Sequence, residues 1–267
     1  MWSLGLALLA LAFMASPATA AVIEFEEHYC GCDGSSGDED TVGIIVRAAT
    51  GELNRMTVKQ MPRGILIQDA GAPLVGRCRP SQSGGRFCRG AYDGVEVHLG
   101  DGDDRIQHDY NGLIAGGAGD DDILGTQGPF RLIGRPGADR LEANGMSGSS
   151  VSYLDHTEGV TVRLNGLADD GAPGEGDNVL GAITGIGGGA GDDYLEAGPD
   201  ASGLSGEGGN DTLVGSPEHD SVHGGEGNDE LLAGGGNDYL TGAGGADVLS
   251  GGAGLDEVAY GGRDPCT

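Results

Sequence analysis

The chain has 267 residues, of which 56 are glycine and 10 proline, and its formal charge at pH 7 is −28. Aromatic residues make up only 4%. The acidic balance argues against a nucleic-acid binder, which needs a basic face, and the shortage of aromatics argues against an enzyme built on one large core. Two classes remain: a disordered acidic chain, or a repeat protein in which glycine and acid have assigned places. A search for a period decides between them.

Residues 1–20 carry no charged side chain, and Leu4 to Ala15 is apolar. Ala18-Thr19-Ala20 has the A-x-A form of a cleavage site, so 1–20 is expected to be a signal peptide, although no Lys or Arg precedes the apolar run. That run is shorter than the roughly 20 residues of a membrane span, and no transmembrane segment is expected in the mature chain. Export would place the protein in the medium or at the cell surface. Cysteine usage fits an oxidising compartment. Cys78 and Cys88 are the natural disulfide pair, Cys30 and Cys32 lie near the mature N-terminus, and Cys266 is second from the end.

Residues 21–98 are predicted to form a β-rich N-terminal cap. TVGIIVRAA (41–49), RMTVKQM (55–61), GILIQDA (64–70) and VEVHL (95–99) read as strands. GSSGDEDTV at 34–42 looks like a worn repeat. Arg77, Arg79, Arg86 and Arg89 make a basic loop around the cysteine pair, read as solvated.

Residues 99–151 form a first repeat block. It contains LGDGDDRIQ, the eight-residue HDYNGLIA, GGAGDDDIL, GTQGPFRLI and GRPGADRLE. Its acids in phase are Asp104, Asp121 and Asp139, and Phe130 takes the acid position of one unit. Residues 152–187 interrupt the pattern as a β insert: GVTVRLNG and AITGI read as strands around an acidic loop at 168–178. Asp169, Asp170, Glu175 and Asp177 of that loop are candidate ligands for a hard cation.

Residues 188–259 form a second block of eight contiguous nonapeptides, from GGAGDDYLE to GGAGLDEVA. Position six is Asp193, Asp211, Asp220, Asp229, Asp238, Asp247 and Asp256, with Ser202 the exception. Position eight is aliphatic in every unit, from Leu195 to Val258. A tail, 260–267, closes the chain. VSYLDHT (151–157) and VAYGGRD (258–264) look related, so a second insert would begin where the sequence stops.

The repeat G-G-x-G-x-D-x-U-x resembles the RTX, or haemolysin-type, calcium-binding family. GGAGDDDIL, GGAGDDYLE, GGEGNDELL and GGAGLDEVA carry the resemblance, which covers about residues 95–260. It implies an all-β fold: a parallel β-roll, a right-handed β-helix-like solenoid. In that fold successive turns alternate between two sides. The resemblance therefore stacks Asp193, Asp211, Asp229 and Asp247 on one side, and Ser202, Asp220, Asp238 and Asp256 on the other. It stacks Asp104, Asp121 and Asp139 in the first block and leaves the Phe130 side nearly empty of ligands. Multiple Ca2+ ions between stacked turns are the implied cofactor.

The chemistry agrees with this. Three residues, x-U-x, make a short strand with U facing inward. Glycines in the other six permit turns that leave carbonyls short of partners. A hard cation wanting six to eight oxygens satisfies them, with a carboxylate added from position six. Residues 188–259 hold fifteen Asp and Glu and no Lys or Arg. Screening reaches only about 10 Å at 0.1 M salt, so apposed carboxylates need an external cation. One aliphatic per unit does not offset the ordering of nine backbones, and the repeats are expected to fold on binding calcium.

His219-Asp220-Ser221-Val222-His223 imitates the H-E-x-x-H zinc motif, but that motif needs a helix and here lies in phase with the roll. There is no G-x-S-x-G. The expected function is that of an exported, non-enzymatic calcium-binding roll with a structural, adhesive or surface-associated role. The competing expectation is an RTX-bearing secreted enzyme or toxin-like protein with an activity in 21–98. The sequence names no protein or polysaccharide partner.

Overall fold

A computed structural model describes residues 20–28, 41–48, 51, 53–71, 73–76, 78–92, 94–145, 148–199 and 203–259. Residues 1–19 of the expected signal peptide, Cys30 and Cys32, residues 34–40 of the worn repeat, Arg77, Ser202, and the tail 260–267 with Cys266 lie outside them. Every regular element among the described residues is a strand. None of them is a helix able to cross a membrane.

The strands stack into two faces. One face is an unbroken twelve-stranded sheet running from Leu74–Gly76 at one edge to Glu257–Ala259 at the other. From Thr41–Arg47 onward every neighbour in it is parallel. The opposite face is divided. An eight-stranded sheet ends at Asn178–Gly181, and a five-stranded parallel sheet begins at Thr161–Arg163. This is the parallel β-roll expected from the repeat, because each x-U-x triplet supplies one short strand to alternate faces.

One column of side chains fills the space between the faces. Leu195, Leu204, Leu213, Val222, Leu231 and Leu240 are all buried, and the column loosens only at Leu249 and Val258 in the final coil. The N-terminal part is packed more densely. Ile23, Ile44, Val46, Met56, Val58, Ile65 and Ile67 form a continuous core with the bonded pair Cys78–Cys88. Arg86 braces the loop by donating from Nε to the Leu74 carbonyl (2.9 Å) and from a terminal nitrogen to the Cys78 carbonyl (2.8 Å). The strands read from sequence at 41–49, 55–61, 64–70 and 95–99 are present, and they join the same two faces as the repeats.

The segment 152–187 is woven into the roll rather than set aside from it. Thr161–Arg163 pairs forward with Tyr194–Glu196, while Asn178–Gly181 pairs back with Arg140–Ala143. Asp170 and Asp177 bridge the two arms of this excursion in antiparallel fashion. The divided face thus has its break here, while the twelve-stranded face passes the same point through Ser149–Ser152 and Ile183–Gly187.

Candidate calcium ladders

The acids at position six form ladders. In each, the backbone N–H of one aspartate donates to Oδ1 of the aspartate one full coil later. On the first side of the second block the rungs are Asp193 to Asp211 (2.8 Å), Asp211 to Asp229 (2.9 Å) and Asp229 to Asp247 (3.1 Å). On the other side they are Asp220 to Asp238 (2.9 Å) and Asp238 to Asp256 (3.2 Å). The first block has Asp104 to Asp121 and Asp121 to Asp139, both 2.8 Å. The structure therefore stacks all ten sequence-predicted aspartates as the repeat implies.

One carboxylate oxygen is consumed by each rung, and the second is the reactive one. Oδ2 of Asp104, Asp121, Asp139, Asp211, Asp229 and Asp238 is buried without a hydrogen-bond partner. Buried polar atoms are normally satisfied, and an orphaned carboxylate oxygen is costly. In Asp121, Asp139, Asp211 and Asp229 this oxygen leans over the first glycine of its own turn, Gly116, Gly134, Gly206 and Gly224. A Cβ at Gly206 would collide with Asp211 Oδ2 and stand 2.6 Å from the Gly224 carbonyl oxygen. At Gly116 it would collide with Asp121 Oδ2 and stand 3.0 Å from the Gly134 carbonyl oxygen. Missing side chains thus open cradles between a carboxylate and the carbonyl of the next coil. Among the described residues no three His, Cys, Asp or Glu side chains converge on one point. The donors are carboxylate and carbonyl oxygens, which suit a hard cation such as Ca2+ and not zinc.

Burial sets the electrostatics. Desolvation pushes the Asp104 carboxyl up to about 6, Asp121 and Asp211 to about 7, and Asp139 to about 8. Backbone hydrogen bonds oppose the rise, and neighbouring carboxylates add to it. Asp193, Asp220 and Asp229 are also raised, again chiefly by burial. The first rungs of the second block differ: Asp193 Oδ2 accepts from Gly189 N–H (2.7 Å), and Asp220 Oδ2 from Ser216 N–H (2.6 Å).

Three features were missed in the sequence. The first ladder is longer than its repeats: Asn54 N–H donates to Asp104 Oδ1 (2.6 Å), and Asp139 N–H donates to Asp177 Oδ1 (2.9 Å). Asp177 comes 38 residues after Asp139, so no regular spacing marks it. It leaves the loop cluster proposed for 168–178, and Tyr153 donates its hydroxyl to Asp177 Oδ2 (2.9 Å). Asp170 accepts from Arg163 N–H (2.6 Å) and Val179 N–H (2.9 Å), while Glu175 accepts from Ala172 N–H (2.8 Å). Asp177 and Glu175 both approach Gly171, but among the described residues no three acidic, His or Cys side chains of this loop come together as a metal cluster.

The second missed feature is an exposed ladder at position five. Asn210 N–H donates to Asp192 Oδ1 (2.7 Å), Asn228 N–H to Asn210 Oδ1 (3.0 Å) and Ala246 N–H to Asn228 Oδ1 (3.0 Å). On the other side Asn237 N–H donates to His219 Nδ1 (2.6 Å). His219 is thereby a ladder member, while His223 lies on the outer sheet beside Ser221 (3.0 Å). An eighteen-residue comparison of position five was the available signal.

The third is Phe130. A Cβ at Gly125 would collide with the Phe130 ring, just as one at Gly116 would collide with Asp121 Oδ2. The ring fills the cradle instead of leaving it open, and it meets buried His108 edge-on at 5.5 Å. Desolvation lowers the His108 imidazole to about 3 and keeps it neutral.

The described geometry agrees with a comparison against known families. The family model of the RTX calcium-binding nonapeptide repeat matches residues 187–204, 205–240 and 223–258. No curated protein matches the chain significantly. Residues 187–258 are RTX calcium-binding nonapeptide repeats, a β-roll that binds multiple Ca2+ ions.

Proposed function

We propose that this is an exported, non-enzymatic protein whose roll orders on meeting extracellular calcium and then serves as a structural or adhesive surface component. Asp104, Asp121, Asp139, Asp193, Asp211, Asp220, Asp229, Asp238, Asp247 and Asp256 are the proposed side-chain ligands. The buried Oδ2 atoms without partners carry this reading, because six such oxygens, once ionised, are costly to the roll unless a cation meets them. Bound calcium supplies the positive charge that the repeats lack. The chain contributes carbonyls through its glycine turns and holds each carboxylate in place through its Oδ1 rung.

Export supports the affinity expected of such sites. Extracellular calcium modules bind with Kd of roughly 10⁻⁴–10⁻³ M, so the repeats stay open at low calcium and order outside. The bonded pair Cys78–Cys88 fits the same compartment. Circular dichroism with millimolar calcium and with excess EGTA tests the reading. The expected result is a β spectrum that collapses in EGTA and a midpoint raised at least tenfold by Asp229→Asn with Asp247→Asn. An unchanged spectrum in EGTA would overturn it.

A further inference from the structure

The outer surface of the twelve-stranded sheet has a trough of about 420 Å³ where the two blocks meet. That volume falls within the ~300–1,000 Å³ typical of small-ligand sites. Its origin is visible in the register. One outward row runs across the strands as Arg131, Ser150, Gly185, Gly203, Ser221 and Tyr239. A second row beside it places Gly187 next to Ser205 and Ser205 next to His223. A bulge between Ser149 and Ser150 sets the local spacing.

The trough glycines are unlike those of the turns. Many turn glycines have positive φ or would drive a Cβ into backbone. Gly185, Gly187 and Gly203 have neither constraint: none lies in the left-handed region, and a Cβ would meet nothing nearer than 3.3, 3.9 and 3.6 Å respectively. Glycine inside a strand weakens it, and it often marks close approach by a ligand or another backbone. Here it keeps a floor bare where side chains would fit. Backbone N–H and C=O groups along these strands are already paired in the ladder, so an added peptide strand has no edge to join. A ligand must use side-chain groups and the apolar floor.

Those groups are hydroxyls and single charges. Arg131 holds Ser152 Oγ at 3.0 Å at one end of the trough, and Leu154, 49% exposed, stands above it. Ser205 Oγ donates to Glu207 at 2.9 Å at the other end. Past Ser221 the first row reaches Tyr239, 37% exposed, whose ring is tilted against the His223 imidazole at 5.8 Å. One Arg, one His and one Glu with several hydroxyls match no polyanion, and the chain's charge of −28 repels one. The cross-strand step is about 4.8 Å, close to the rise per ring of an extended glycan. We propose that this trough binds a neutral oligosaccharide lying across the strands, hydrogen-bonded to Arg131, Ser150, Ser221 and His223 and stacked at one end on Tyr239.

The test uses the full chain in millimolar calcium on an array of defined neutral and acidic oligosaccharides. Neutral members are expected to bind, with signal falling at least tenfold in Gly203→Leu, which fills the floor, and at least fivefold in Tyr239→Ala. The calcium-induced β spectrum of each variant checks that the roll has formed. Should Gly203→Leu not fold, Tyr239→Ala decides alone, since its side chain lies outside the core. The proposal is overturned if the folded wild type binds no neutral oligosaccharide, if it binds acidic ones only, or if binding survives unchanged in the folded variants. Failure of calcium to induce the β spectrum in the wild type would instead strike the calcium reading, and the two failures are separable.

Discussion

A carboxylate in these ladders has two unlike oxygens. Oδ1 is committed to the coil before it, and Oδ2, outside Asp193 and Asp220 where a backbone N–H takes it, is left for a proton or a cation. This fixes a pH dependence. An acid whose folded pKa lies above its unfolded value of about 3.9 costs native stability progressively as pH rises through that interval. Asp104, Asp121, Asp139 and Asp211 cover about 6 to about 8. In excess EGTA the chain is therefore expected to gain β signal when acidified from pH 8 to pH 5. With calcium present the sign reverses, because protons compete for the same oxygen and the calcium midpoint rises below pH 7. A pH-independent midpoint would contradict the assignment of Oδ2. The facing glycine matters as much as the acid. Gly206→Ala places a methyl against Asp211 Oδ2, and ion counting by calorimetry is expected to show at least one calcium fewer. Gly208→Ala, whose added Cβ meets only the Glu226 carbonyl at 3.9 Å, is the neutral control.

At the scale of the element, the nonapeptide is a turn plus a strand, and the turn tolerates two fillings. An acid makes a cradle for a cation; Phe130 makes a hydrophobic plug against His108. Removing the plug leaves a cavity, and Phe130→Ala is expected to cost about 3–5 kcal/mol without changing the number of ions bound. Denaturant unfolding in saturating calcium, beside calcium counting, separates these two effects. The strands and the ladders of the second block were legible because each unit repeats the same solution at the same spacing. Phe130 read as a lost ligand because sequence shows what a side chain cannot coordinate, not what volume it fills. Asp177 was legible as an acid but not as a rung. The excursion through Thr161–Arg163 breaks the spacing that would have placed it.

For the whole molecule, two sources of stability sit at opposite ends. The N-terminal part is held by a dense aliphatic core and the Cys78–Cys88 bond. The second block has one inward aliphatic per unit, only partly buried in the last two, and depends on its ladders. Breaking the bond by Cys78→Ala with Cys88→Ala is expected to cost about 2–4 kcal/mol, confined to the cap. The calcium midpoint of the second block is expected to stay within twofold of wild type, measured by calorimetry; a collapse of calcium binding would show the two ends to be one cooperative unit. The joint, where one face is continuous and the other divided, could not be read from composition. It depends on which earlier and later strands the arms of 152–187 choose as neighbours.

The ladders also have a direction. In every position-six rung the donor belongs to the earlier coil and the acceptor to the later one, the reverse of the position-five ladder, so no position-six N–H is satisfied until the next coil has arrived. On a chain that emerges N-terminus first, order must lag synthesis by one coil, with Asn54 N–H waiting on Asp104 and each aspartate N–H waiting on its successor. Along position six the completing acid comes from the later coil, as Asp247 and Asp256 do in accepting from Asp229 and Asp238.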